Sequence, residues 1–442
     1  MAFTFTGGLD LQRSGRASLN RIIALPTPAF TVFDFSGDKN TVFTPFLSQN
    51  DPVSVYQCIG EQTAGEDKIP VYSGIAGSVR SILKNADGIP VGMVITSSEE
   101  QKKAEIKGYE GTLADLDPQK IVETVKNSAI PCRGSHGFAY KRLLASQGKT
   151  KRFILNFCES EPGVSSRKAL ITEDIDAVLN GAKLLMRAVD IRTCDIAIER
   201  DNGQMIGLLT EKIRKNRLFS VRKTKHKYPQ DEEVALIFAL NGTQLSDAES
   251  PERSGCVVFD AETAAAVYRA VVYGVPYCER VVTVDTENLL CPIGTPVSEL
   301  LDFCDIRPET AVKIISGGPL RGKTFKKLDE PVKADTSAIT VIYAGEGRPI
   351  PQMTQCTRCG KCVSVCPSRI MPFRIAELSK QKRYAKCAEF GANACCECGC
   401  CDYVCPAYIP IKKLIRTAKH KKVMPKRDKN ETEPEIEPEE SV

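Results

Sequence analysis

The sequence predicts a multidomain α/β protein that ends in a helical, cysteine-bearing domain. Three observations carry this reading. The chain is 442 residues long, and at roughly 150 residues per domain that length calls for two to four domains. Its middle alternates strand-like and helix-like apolar patterns, the mark of a layered α/β unit. Eleven of its 19 cysteines fall from Cys356 onward, and the other eight are scattered singly.

Composition narrows the classes. A hydrophobic content of 42% is that of a globular chain and excludes disorder over most of the length. With 60 basic and 55 acidic residues the net charge is +5, which gives no case for nucleic acid. No stretch of about 18 apolar residues is present, so no transmembrane segment is expected. Residues 1–10 lack the apolar core of a signal peptide. A secreted disulfide framework belongs to much smaller proteins. A reducing, cytoplasmic compartment is therefore expected, with the clustered cysteines as metal ligands.

Residues 1–110 read as a β-rich unit. Gly7-Gly8 sits in a loop after a strand-like start, and residues 52–79 are short β-type runs broken by glycine and proline. Residues 99–107 are charged and solvated. Residues 111–280 form the α/β unit. Strands are expected to end at Ile154-Leu155 and to run over 194–198 and 256–259. Helices are expected over 175–189, with Ile175, Val178, Leu179, Ala182, Leu185, Met186 and Val189 on one face, and over 261–273. Loops at strand ends in such units hold ligands. Residues 281–345 carry a strand at 280–284, a short helix at 296–303 and a tight turn at Ser316-Gly-Gly-Pro319, read as a small β-grasp-like unit. Residues 346–420 are the cysteine domain. A basic stretch at 412–427 and a Glu/Pro-rich end follow, and residues 421–442 are expected to be a disordered charged tail.

Cys356, Cys359, Cys362 and Cys366 precede Pro367, and Cys395, Cys398, Cys401 and Cys405 precede Pro406. Each run has the pattern C-x2-C-x2-C-x3-C-P. That spacing wraps three thiolates around one [4Fe–4S] cubane and gives the fourth to the other cluster. One cluster is assigned to Cys356, Cys359, Cys362 and Cys405, the second to Cys395, Cys398, Cys401 and Cys366. Two clusters built this way lie close together, which suits one-electron hopping. The alternative is a pair of zinc sites, but zinc usually takes C-x2-C pairs separated by a longer gap. Cys387, Cys396 and Cys400 are out of register and read as packing residues.

With these motifs in place, the chain resembles the RnfC-like electron-transport family, and more distantly the NADH/FMN-binding subunit of respiratory complex I. The resemblance runs in order over residues 1–420. It includes Gly7-Gly8, Gly60-Glu61, residues 69–79, Ile196-Ala-Ile-Glu199, Lys227-Tyr-Pro-Gln230, residues 276–284, Gly317-Gly-Pro-Leu-Arg-Gly322, the double cysteine motif and residues 409–416. It implies a barrel-sandwich hybrid, a complex-I-type flavin/NADH α/β domain, a β-grasp unit and a ferredoxin-like domain with two [4Fe–4S] clusters. It further implies that electrons from NADH pass through FMN and the clusters to a redox partner. Gly134, Gly137 and Phe138 match the loop that approaches the flavin phosphate, where close backbone approach calls for glycine. Asn156, Glu159 and Glu161 match the acidic loop beside flavin and nicotinamide.

The match has departures. Cys132, Ser135, His136 and Ala139 interrupt the glycine loop. Asp231 and Glu232 stand where the family has glycine, and Asp260 where it has asparagine. These residues crowd the cofactor position and add negative charge to it. Three readings are open: FMN bound in an altered pose, loss of flavin leaving an electron carrier or docking subunit, or a gained thiol function. The last rests on Cys132, whose neighbours Arg133 and His136 would lower its pKa, and its plainer reading is a half-buried packing cysteine. The departures point to a soluble relative serving a terminal reductase, such as one of the proline-reductase type. The alternative is the membrane-associated RnfC component of an Rnf complex, peripheral to the inner face of the membrane. The basic run at 412–427 is either a solvated helix end or a dock for an acidic ferredoxin- or flavodoxin-like donor. His226 and His420 read as exposed surface residues.

Overall fold

The structure is a computed structural model that describes residues 2–11, 21–37, 41–65, 67–133, 137–245, 251–345 and 352–421. The expected tail thus lies almost wholly outside the described residues. Among the described residues no helix is long and apolar enough to cross a membrane.

The N-terminal unit is two small antiparallel sheets. Phe30–Asp34, Pro90–Ser97, Gly77–Lys84 and Pro52–Val53 form one, and Thr41–Pro45, Cys58–Ala64 and Asp67–Tyr72 the other. Alternating inward residues from both, including Phe33, Phe43, Ile59, Val71, Val79 and Ile95, close a shared core.

The central unit is a four-stranded parallel sheet. Its order is Phe219–Thr224, Cys194–Glu199, Arg152–Asn156, Cys256–Asp260. Period-two alternation sorts its side chains between two layers. Phe153, Leu155, Ile196, Ile198, Val257 and Phe259 face the helices Pro118–Asn127, Ala139–Ser146, Ile175–Ala188 and Ala261–Tyr273. Ile154, Ala197, Cys256 and Val258 face the helix Glu233–Asn241 on the other side. Asp260 starts the helix Ala261–Tyr273 by accepting the Thr263 N–H at 2.7 Å.

The third unit is a six-stranded mixed sheet, with the helix Val297–Phe303 packed on it. One of its strands comes from far away in sequence: Ile22–Ala24 pairs in parallel with Asn288–Leu290. The sequence placed residues 22–24 in the N-terminal unit. A three-residue strand of two isoleucines and an alanine has no pattern that could name a partner sheet.

The cysteine domain is built from short helices, with each cysteine run folded the same way. Gly360 and Gly399, at φ of 74° and 81°, cap the one-turn helices Lys361–Ser364 and Cys400–Tyr403. A side chain at that φ would be strained, which is why glycine recurs at the same place in both runs. The longer helices Pro372–Lys380 and Ile411–Lys421 pack together beneath the two runs.

Candidate functional site

The first cysteine set surrounds one cavity of about 290 Å³. Cys356, Cys359 and Cys362 line it with Cys405, the last cysteine of the other run, and Phe373, Ala376, Ile409 and Ile411 give it apolar walls. Cys356 and Cys359 are exposed, so this site opens to solvent. Of the second set, Cys366 and Cys401 are buried in one cluster with Cys362, and Cys395 and Cys405 pack against it partly buried, while Cys398 lies in a neighbouring cluster with Tyr228 and Cys400. The Glu397 N–H donates to Cys395 Sγ at 3.4 Å, a donor that suits a thiolate. A tetrahedral zinc site holds its sulfurs about 3.8 Å apart. Among the described residues the one set of three potential ligand atoms within 4.8 Å of one another is Glu199, Asp201 and His226, and it contains no cysteine. Cys387 is fully buried with its thiol on the Ile375 carbonyl, and Cys400 is 1% exposed, as packing residues are.

The basic run is less available than its charge predicts. Lys412 donates to the Leu320 carbonyl at 2.6 Å, and Arg416 and Lys419 both pair with Glu397. Three of its cations are thus spent inside the protein.

The crevice at the C-terminal ends of the parallel strands collects the other candidates. Asn156 ends its strand and donates from Nδ2 to the Asp231 carbonyl at 2.9 Å, while its Oδ1 accepts the Cys158 N–H. Glu159 accepts the Arg167 and Lys168 N–H groups, both at 3.1 Å, at the start of the helix Ser166–Glu173. Glu161 Oε1 accepts the N–H groups of Leu320 and Arg321 at 2.6 and 3.1 Å, and its Oε2 pairs with Arg321 Nε at 2.9 Å. Asp231 is buried and pairs with Arg321 at 2.7 Å and Arg133 at 3.3 Å, with Ser160 donating to its other oxygen. Burial alone would raise its pKa, but Arg321, Arg133 and Arg167 hold the carboxyl far below the usual carboxylate range. Arg321 also pairs with Glu232 and lies over the Tyr228 ring, 5.5 Å from its centroid. The Tyr228 hydroxyl donates to the Cys398 carbonyl, which ties the crevice to the second cysteine set.

Gly134, with Ser135 and His136, lies outside the described residues. Gly137 has a φ of 70°, and its carbonyl accepts the Cys132 N–H at 2.9 Å. Phe138 stands just before the helix Ala139–Ser146. Cys132 does not have the setting that a reactive thiol needs. It is 8% exposed, and burial pushes its pKa up to about 12 despite the nearby Arg142. The expected result is that Cys132 alkylates no faster than the buried Cys194 in a timed mass-spectrometric labelling at mild pH. Faster labelling would restore the redox-thiol reading. His226 is also not the free surface residue it resembles in sequence, since its Nδ1 lies 3.5 Å from Glu199 and 3.9 Å from Asp201.

Arg133 and Arg321 are site residues whose partners the sequence did not show. The sequence marks Arg133 only as a neighbour of Cys132, and Arg321 only as one position of the block 317–322.

These contacts bear on the expected flavin. A flavin ring held between two walls needs them about 7 Å apart, two van der Waals contacts of about 3.5 Å each. Here side chains cross that space: Arg133 of the first loop meets Asp231 of the third, and Asp231 meets Ser160 of the second. Arg321 enters from the six-stranded sheet and meets Glu161. In this arrangement the residues present do not fit flavin mononucleotide.

Residues 125–269 match the Nuo51 FMN-binding domain. The chain is 32% identical over 372 residues to the RnfC-type component of the Na(+)-translocating ferredoxin:NAD(+) oxidoreductase complex of Acetobacterium woodii, covering 81% of this chain and 83% of the relative. It is 26% identical over 401 residues to the corresponding component of the proton-translocating ferredoxin:NAD(+) oxidoreductase complex of Clostridium ljungdahlii, covering 88% and 87%. An NAD+-reducing [NiFe]-hydrogenase in the H2-reduced state aligns with a TM-score of 0.48 at 16% identity, over 72% of this chain and 64% of that chain, too loosely to argue from. On the strength of the first of these relatives, the chain belongs to the RnfC-like family of the ion-translocating ferredoxin:NAD(+) oxidoreductase complexes.

Proposed function

We propose that this protein is an iron–sulfur relay that passes single electrons between redox proteins through two [4Fe–4S] clusters. One observation carries the reading. Thiols from two separate runs line one cavity, open to solvent at Cys356 and Cys359, while Cys366, Cys398 and Cys401 of the second set are buried. Cys356, Cys359, Cys362 and Cys405 hold the outer cluster, and Cys366, Cys395, Cys398 and Cys401 the inner one. The clusters supply one-electron storage, and the chain's residues set access to them.

The outer site has the features of a docking face. Arg358, Lys361 and Lys380 are exposed around it, and exposed Met353 and Tyr408 stand nearby. A basic ring with apolar patches favours an acidic partner, such as a ferredoxin- or flavodoxin-like protein or a terminal reductase of the proline-reductase type. The double reversal Arg358→Glu/Lys361→Glu is expected to slow reduction of an acidic ferredoxin about tenfold at low salt. That gap should close as ionic strength rises, and a gap independent of salt would remove the docking role.

The second reading is an NADH dehydrogenase working through bound FMN. It is favoured by the domain match at 125–269. Counting iron, acid-labile sulfide and flavin on anaerobically purified protein, then adding NADH, decides between them. About eight iron atoms, matching sulfide, no flavin and no bleaching by NADH fit the relay. One flavin per chain with rapid bleaching fits the dehydrogenase, and zinc without sulfide defeats both.

A further inference from the structure

We infer that the crevice of the FMN-binding-type domain is closed by a plug from this chain itself, the loop 317–322, and that flavin mononucleotide is excluded while Arg321 is seated. This goes beyond the relay reading, since it concerns the ligand that this type of domain would otherwise take.

The plug is anchored at both its base and its tip. It is the tip of a hairpin formed by Ala311–Ser316 and Lys323–Thr324. Its base is fixed where the Gly317 N–H donates to the Ala338 carbonyl and the Thr340 hydroxyl donates to the Gly317 carbonyl, both at 2.7 Å. At the tip, two backbone N–H groups and one guanidinium converge on Glu161. Gly318 allows this approach, because a Cβ there would stand 1.8 Å from Glu161 Cγ. The back of the loop rests on the cysteine domain, where Lys412 holds the Leu320 carbonyl and Gly399 leaves room for it.

Charge explains why the plug stays. The side chains of Asp231 and Glu161 are 2% and 6% exposed, and that of Arg321 is 17% exposed. Buried carboxylates of this kind need a cation, and Arg321 serves Glu161, Asp231 and Glu232 together. The departures from the family's glycines at 231 and 232 therefore belong with Arg321 as one unit. An incoming phosphate would have to displace the guanidinium and would then face three carboxylates that share only Arg133 and Arg167 as nearby cations.

The test uses full-length, cluster-loaded protein purified anaerobically. FMN is titrated into the wild type, into the triple variant Asp231→Gly/Glu232→Gly/Arg321→Met, and into Gly318→Ala, which pushes the tip outward without changing charge. Binding is read by flavin fluorescence quenching and by co-elution in gel filtration, and the cluster absorbance and circular dichroism report folding. The expected result is no retained flavin on the wild type, and at least about hundredfold tighter FMN binding by the triple variant. Gly318→Ala should shift in the same direction. Wild-type protein carrying one flavin per chain overturns the inference and leaves the cluster relay standing. So does a triple variant with intact clusters and circular dichroism that binds FMN no better than the wild type. Should the triple variant fail to fold, Gly318→Ala decides: a gain in FMN affinity supports the plug, and no gain overturns it.

Discussion

Cys405→Ala is expected to halve the iron content, from about eight atoms per chain to about four. The cluster lost should be the one held by the first run, although Cys405 belongs to the second. The physical basis is the shared cavity, where Cys405 stands with Cys356, Cys359 and Cys362. Alkylation mapped by mass spectrometry gives the decisive readout. In Cys405→Ala the thiols of Cys356, Cys359 and Cys362 should become labelled, while Cys395, Cys398 and Cys401 stay protected by the remaining cluster. Cys366→Ala should give the mirror pattern. If each run instead held its own cluster, Cys405→Ala would unprotect Cys395, Cys398 and Cys401, and the crossed ligand assignment would fail.

Arg142→Met is expected to cost about 3–5 kcal/mol of stability, measured as denaturant-induced unfolding of the central domain. The Arg142 side chain is 2% exposed and contacts Glu233, with Glu252 at 4.0 Å. It also donates to the Val258 and Arg133 carbonyls. Truncation takes that guanidinium away from both carboxylates. Burial acts on Glu233 even in the intact protein, and the pH dependence follows from that. Burial raises the Glu233 pKa from its ordinary 4.5 to about 7, with Glu252 and Glu232 adding to the rise and Arg142 opposing it. The folded protein therefore keeps this proton to a higher pH than the unfolded chain does. The stability this contributes is fully present below about pH 4.5 and is lost as pH rises through about 7. Glu233→Gln should flatten that decline by on the order of 2 kcal/mol and should partly rescue Arg142→Met. A wild-type stability profile that is level from pH 5 to 8 would contradict the assignment.

The sequence was legible where chemistry repeats at fixed spacing. Two C-x2-C-x2-C-x3-C-P runs allow few geometries, so the spacing alone proposes that Cys405 joins the first set, with which it lines one cavity. The layered α/β unit was legible because apolar strands and amphipathic helices alternate over 150–273, while the edge strand Phe219–Thr224, which carries charged residues, was not. The crevice was not. Its contacts join residues far apart in sequence: Arg321 meets Glu161 across 160 positions and Asp231 across 90. Pairings of that kind leave no local period. The setting of Cys132 was hidden for the same reason. Its sequence neighbours Arg133 and His136 argue for a low pKa, while the burial that raises it depends on tertiary packing, with Arg142 opposing the rise and Asp260 adding to it. The strand Ile22–Ala24 shows how little a short apolar run says about the sheet it joins.

Residues 3–9 have a consequence for the order of folding. Phe3 pairs with Thr224, Leu9 with Tyr228, and the Gly8 N–H donates to the Val365 carbonyl at 2.8 Å. This segment thus joins the central unit to the cysteine domain, across more than 350 positions of sequence. Contacts of such long range are slow to form. The seam can close only on a cysteine domain that is already shaped around Val365, so whatever unfolds that domain also releases the far end of the chain from its partner.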